Sequence, residues 1–357
     1  MQTEAYQLYG MTMSPYSMKM RAYLRYRRIP FHWVADMRAE TVARTKVETY
    51  MVPVLGFPDG QFKYDSTFLI NELEELHEGR HVDPEDEADR FLAYLIEDFA
   101  DEFLVFPFFV RRWDGKERQA SHGNWILYEV LQGQTASPQY AVGAVAWAER
   151  QTTLVGKLCG NTGEMQALME DGLQAFLALM EQNVADGLFL FGTRPSRADF
   201  GIYGQLSQLV IDNGSSEMMR DVASLTTRWC FTMDDLSANE GEWKPITNDA
   251  EALAASVIPD ILRLSATYHL PLLAANDEAR AQGEKEVSIE INGTPFRRRA
   301  LRGRDRCLPD LQTRFAGLSS DARNALIPLL DETGCLPYIA GTDSFPRVGS
   351  TVSSEPS

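Results

Sequence analysis

The sequence predicts an α/β domain followed by a longer, almost wholly helical region. Three observations carry this. Short apolar runs alternate with helical spacing across residues 6–76. Amphipathic helical periodicity dominates from Glu87 onward. And 357 residues exceed what one small core ordinarily spans, so two domains are expected. The first should occupy residues 1–78 and a polar, acidic linker with Gly79 and Pro84 residues 79–88. The helical domain should occupy 89–340, with a hairpin near 286–298. The Ser-, Pro- and Thr-rich tail, 341–357, should be disordered.

Within the first domain each element has a local reason. Ala5 to Tyr9 is a short apolar strand, ending near Tyr9 or Gly10. Ser14 then caps a helix with Pro15 at its first position, where a serine oxygen accepts an orphan N–H and proline loses no bond. Pro30 closes that helix after Arg28, and Phe31 to Val34 returns as a parallel strand. Met37 to Glu48 is a weaker helical stretch. Val52 must be extended, because it precedes Pro53. Pro58-Asp59-Gly60 turns the chain into a last strand, Gln61 to Tyr64. Ser66 then caps a helix carrying Phe68, Leu69, Leu73 and Leu76 on one face.

The helix opening at Ser14 is a positive electrostatic end, suited to an anion. If that anion is a thiolate, its acidity rises, and a hydroxyl aimed at the sulfur stabilises it further. Ser14-Pro15-Tyr16-Ser17 looks like a glutaredoxin Cys-Pro-Tyr-Cys with both sulfurs replaced by oxygen. Such a site cannot exchange disulfides, but it can activate a thiol carried in by a ligand. Together with Val52-Pro53 and Asp65-Ser66, the segment resembles the glutathione-binding domain of the cytosolic glutathione transferases, serine type.

The resemblance implies a thioredoxin-like N-terminal domain followed by an all-α glutathione-transferase C-terminal domain, here with an extra hairpin-plus-helix extension. It implies glutathione as co-substrate, with Ser14 on the sulfur, Tyr9 as the alternative hydroxyl and Ser17 the third. A cis peptide before Pro53 would turn the Val52 backbone toward the cysteinyl part. Ser66 would suit the γ-glutamyl carboxylate and Asp65 its ammonium. The usual cation for the glycyl carboxylate is missing from the segment before Val52, leaving Arg44 or Lys46. A small hydrophobic or electrophilic substrate would lie over the helical domain, with Tyr16, Arg111, Arg112 and Trp113 as pocket candidates. A homodimer is also implied, and a detoxification role. Conjugation, ether cleavage, dehalogenation and isomerisation all lie within the family's range. A reading of another class is a binding module of the same fold without turnover, its last third holding a partner.

Farther along, Glu97, Asp98, Asp101 and Glu102 place two carboxylate pairs on one helix with no His or Cys at ligand spacing, so a solvated or interface face is expected and no metal. His122 stands isolated, as a structural residue. Met165 to Met180 is strongly amphipathic. Ser196 and Asp199 form a capping box within Gly-x-x-Pro-Ser-x-Ala-Asp-Phe, resembling the one that opens the central helix of the transferase C-terminal domain. The resemblance runs from about Gln7 to Leu236. Beyond it, Ala250 to Ala275 continues as helix, Asn292-Gly293 marks a hairpin, and Ser320 to Leu330 is helical. The arginines from Arg297 to Arg306 either clamp an anionic substrate or partner, or neutralise the protein's own acidic surface or pair across its domains.

A net charge of −17 argues against nucleic acid or an anionic membrane surface as partner. The N-terminus lacks a signal-peptide pattern and no apolar run reaches membrane-spanning length. The four cysteines are too dispersed for a zinc motif or a redox pair, which fits reduced thiols in the cytoplasm.

Overall fold

Four strands lie in the order β2-β1-β3-β4 in a computed structural model that describes residues 5–160 and 162–341. β1 (Tyr6–Tyr9) runs parallel to β2 (Phe31–Val34) through the crossover helix α1 (Pro15–Tyr26). β3 (Val54–Gly56) is antiparallel to β1, and β4 (Phe62–Tyr64) to β3, the two joined by a turn in which Asp59 Oδ1 accepts from Gln61 N at 2.9 Å. Tyr6 and Leu8 point into the main core with α1 and with α3 (Ser66–Leu76). Tyr9 and Val54 point to the opposite face and form a small cluster with Ala43 of α2 (Met37–Arg44). Period-two alternation along β1 therefore assigns Tyr9 to the α2 side.

From α4 (Glu87–Phe99) the chain is mostly helical. A π-helical turn, Ala100–Leu104, joins α4 to α5 (Val105–Trp113). Next come α6 (Lys116–Val130), α7 (Pro138–Cys159) and α8 (Gly163–Asp186). The central helix is α9 (Arg197–Ile211), in which every residue through Val210 is buried. Its capping box forms: Asp199 Oδ2 accepts from Ser196 N at 2.8 Å. α9 lies against α1 so closely that a Cβ on Gly204 would come within 2.8 Å of the Pro15 carbonyl oxygen.

α10 (Ser215–Val222) and α11 (Ser224–Met233) complete this bundle. The last third is α12 (Ala250–Ala255), α13 (Ile258–Leu264) and, after a second π turn, α14 (Leu270–Ala281). The hairpin β5 (Glu286–Ile291) and β6 (Thr294–Arg299) follows, then α15 (Cys307–Gly317), α16 (Ser320–Glu332) and α17 (Leu336–Ile339). Asn292 and Gly293 both take positive φ, 50° and 77°, as a two-residue hairpin turn demands. This third packs back on α4: Tyr94 donates to Asp310 at 2.6 Å and the Phe91 and Phe315 rings lie 5.5 Å apart.

Several expectations need correction. Asp65, not Ser66, is the N-cap of α3, its carboxylate accepting from Phe68 N. The helix predicted to reach Glu48 stops at Arg44. The helix predicted over 250–275 is broken near Ser256 and again at the second π turn. Of the two faces expected for the acidic row of α4, solvated or interface, the structure has the interface: Glu97 pairs with Lys19 and Arg197, and Asp98 with His269. The predicted tail beyond Gly341 lies outside the described residues.

Candidate functional site

Strand register brings the separated motifs to one end of the sheet. Tyr9 pairs with Val54, and Val54 with Tyr64. The loop leading to Ser14, the Val52–Pro53 step before β3 and the Asp65-Ser66 pair after β4 therefore leave the sheet at the same edge. The Val52–Pro53 bond is cis. Ser14 is the N-cap of α1, and its Oγ accepts from Ser17 N at 3.3 Å. It is 8 % exposed.

The loop before Ser14 is fastened by three helices of the second domain. Glu129 on α6 accepts from Thr12 N at 2.9 Å and from Thr12 Oγ1 at 2.8 Å. Arg112 on α5 donates from Nη1 to the Met13 carbonyl at 2.6 Å, and Gln208 on α9 donates to the Thr12 carbonyl at 3.1 Å. Arg112 is itself held by Asp212, Nε to Oδ2 at 2.6 Å. It is thus a buried loop anchor and not a pocket residue. Trp113 is core and Arg111 pairs with Glu170 on α8. Sequence reasoning missed Glu129, Gln208 and Asp212, because their partners lie about a hundred or more residues away.

The Tyr9 and Tyr16 hydroxyls are engaged elsewhere. Tyr9 donates to Gln7 Oε1 at 2.5 Å beneath α2, and burial raises its pKa. Tyr16 donates to the Asp101 carbonyl at 2.8 Å, and burial raises its pKa well above the ordinary phenol. Ser17 Oγ is buried without a hydrogen-bond partner among the described residues, and a Cβ on Gly10 would stand 2.7 Å from it. The protein's four cysteines are free, and burial pushes Cys159 and Cys335 up to about 12.

At α3, the first-turn amides of Ser66 and Thr67 have no acceptor inside the helix, as for any helix start. Ser66 is buried. Asp65 takes φ 79° and its carboxylate also receives the Arg306 guanidinium from the far end of the chain. Arg44 stacks on Tyr50, its Cζ 4.1 Å from the ring centre, and Lys46 is exposed. A cleft of about 700 Å³ opens beside the Thr12-Met13 step, lined by Trp33, Trp125, Tyr128 and Glu129 among others. Among the described residues no group of three or more His, Cys, Asp or Glu is arranged to hold a metal, and no helix is long and apolar enough to cross a membrane.

The arrangement offers an uncharged hydroxyl at a positive helix end, a second helix start beside a carboxylate, and an aromatic cleft alongside. Residues 8–81 match the family model of the glutathione S-transferase N-terminal domain. No curated protein matches the chain in sequence. Among solved structures, the chain is similar to the β-etherase LigF from Sphingobium sp. strain SYK-6, at 16% identity and TM-score 0.46 over 64% of this chain and 95% of that one. It is similar to a glutathione S-transferase of Ceriporiopsis subvermispora in complex with glutathione, at 18% identity and TM-score 0.43 over 65% of this chain and 99% of that one. A third is a glutathione S-transferase from Methylobacterium radiotolerans JCM 2831 in complex with glutathione sulfonate, at 19% identity and TM-score 0.36 over 67% of this chain and 96% of that one. The likeness to the glutathione S-transferase N-terminal domain is carried by residues 8–81.

Proposed function

We propose that the protein is a glutathione-dependent transferase that uses Ser14 to hold the glutathione sulfur as a thiolate. The supporting observation is the convergence of three motifs on one sheet edge, with the Ser14 loop pinned by Glu129, Arg112 and Gln208. Glutathione supplies the nucleophilic sulfur. Ser14 Oγ donates to it, and the α1 dipole favours its negative charge. Ser66 and the first-turn amides of α3 receive the γ-glutamyl carboxylate, while Asp65 receives the ammonium. Arg44 or Lys46 takes the glycyl carboxylate. The cleft flanked by Trp33, Trp125 and Tyr128 receives a small hydrophobic or electrophilic substrate. Activity is then formation of an S–C bond by the thiolate, its proton released to solvent, as the C–O bond breaks to free an alkoxide in ether cleavage or the C–halogen bond breaks to free a halide in dehalogenation and substitutive conjugation, and product analysis with each substrate class separates these.

The deciding experiment measures glutathione binding by calorimetry, then thiolate absorbance in the complex against pH, for wild type and Ser14→Ala. A lowered thiol pKa in wild type, lost in the variant, supports turnover. Binding without a lowered pKa favours a second reading, a glutathione-binding module without turnover. Arg306 already occupying the Asp65 carboxylate is the observation on that side. Absence of binding removes both. We further propose a cytoplasmic homodimer. The exposed Met51 and Phe68 offer apolar surface for a second copy, and light scattering gives its mass.

A further inference from the structure

Arg298 on β6 is 4 % exposed, yet none of its three guanidinium nitrogens has a hydrogen-bond partner among the described residues. The nearest charges do not complete it. Arg304 has the same sign, and the Glu102 carboxylate is taken by Arg304. Both guanidinium carbons face the Phe106 ring, at 5.4 and 4.8 Å from its centre. Burial, and then Arg304, push the Arg298 pKa down to about 9, which leaves it a cation at neutral pH. A buried guanidinium without an anion or acceptor is costly, and its site is incomplete in a chemically defined way.

Arg298 lines a groove of about 1060 Å³ between the end of α7, β6 and the segment that follows it. Lys157, Lys285, Arg297, Arg299 and Arg302 line the same groove, are exposed, and make no ion pair among the described residues. The carboxylates on its wall are Glu284 and Glu286. In a chain of net charge −17, a face built only to stay solvated would interleave the two signs more evenly. Here unpaired cations gather around one cavity with an orphaned arginine in its wall. A guanidinium fork matches a phosphate or carboxylate bidentately, and flexible rim cations suit the remaining charge.

We propose that this groove binds a small molecule carrying two or more phosphate or carboxylate groups, one of which pairs with Arg298 while the rim cations engage the others. Ser14, Asp65 and Ser66 do not line the groove, so binding there stands apart from glutathione.

The test titrates pyrophosphate and citrate separately into the full chain by calorimetry. Saturable binding of at least one is expected, and the tighter of the two distinguishes phosphate from carboxylate chemistry. Arg298→Met should weaken it by about tenfold or more, the loss of one charge-assisted pair. Arg302→Glu with Lys157→Glu, both on the exposed rim, should weaken it by roughly as much through Coulomb repulsion and keeps the test decisive if Arg298→Met does not fold. Glutathione affinity should stay unchanged in every folded variant. No saturable binding of either probe overturns the proposal. So does binding indifferent to the rim charges, or a parallel loss of glutathione affinity.

Discussion

The guanidinium of Arg306 rests on the carboxylate of Asp65, 241 residues earlier in the chain. The last third of the protein is thereby joined to the start of α3. Next to Arg306, Arg304 reaches Glu102 on the π turn after α4. The extension therefore touches both domains where they meet, and the carboxylate proposed to hold the glutathione ammonium has an internal competitor.

Arg306→Ala should release Asp65. Because the arginine side chain is mostly exposed, the contact is weak, and glutathione affinity should rise by up to about fivefold with little change in stability. Calorimetry measures it. An unchanged affinity would mean that Asp65 takes no part in holding the tripeptide.

Ser14→Ala should lower kcat/KM by roughly a hundredfold, the scale for removing one hydrogen-bond donor from a developing or held anion. Tyr9→Phe should leave turnover within about twofold, since its hydroxyl serves Gln7 beneath α2 and lies outside any such donor set. Steady-state kinetics of the two variants decide between the hydroxyls. The reverse ranking would transfer the role to Tyr9.

Glu129→Ala should loosen the loop before Ser14 without unfolding the protein. It removes the acceptor for both Thr12 N and Thr12 Oγ1. A misplaced catalytic group costs on the order of tenfold to a hundredfold in rate, so kcat should fall in that range. Glu129→Gln, which keeps an acceptor oxygen, should recover part of the loss. Equal defects in both variants would point to charge, not position.

Asp277 supplies a pH-dependent prediction. Burial, helped by nearby Asp305, raises its carboxyl to about 6, and one of its oxygens has no hydrogen-bond partner among the described residues. The folded state thus holds this proton more tightly than the unfolded state does. Its stability contribution is intact below about pH 4 and is lost as pH rises through 6. Asp277→Asn should therefore stabilise the protein by about 1–2 kcal/mol at pH 7.5, after discounting for solvent, and by almost nothing at pH 3.5. Urea titrations at the two pH values test it. A gain independent of pH would assign the effect to something other than ionisation.

What the sequence disclosed, and what it hid, divides by distance along the chain. Ser14 and Pro15 at the start of α1, the Ser196–Asp199 box and the Asn292-Gly293 turn were legible because each is a contract among neighbouring residues. Tyr9 was harder. Its place at the strand end suggested a reactive hydroxyl, but only the pairing of β1 with β3 and the cover of α2 decide which face it takes. Arg112 read as a pocket candidate until Asp212, a hundred positions later, was beside it. The acidic row on α4 left a solvated and an interface face open for the same reason. Lys19, Arg197 and His269, which pair with it, come from three different parts of the chain.

Lys19 joins Glu97 at 2.6 Å and Asp101 at 2.5 Å, and Arg197 joins the other oxygen of Glu97 at 3.0 Å. Burial opposes the Lys19 ammonium, yet Asp101 and Glu97 outweigh it and keep its pKa above the usual lysine value. Prising α1 away from α4 would strand these ions in a dry seam before water could reach them, at a cost of several kcal/mol. The two halves should consequently melt together, giving one calorimetric peak, and neither half expressed alone should hold its native shape.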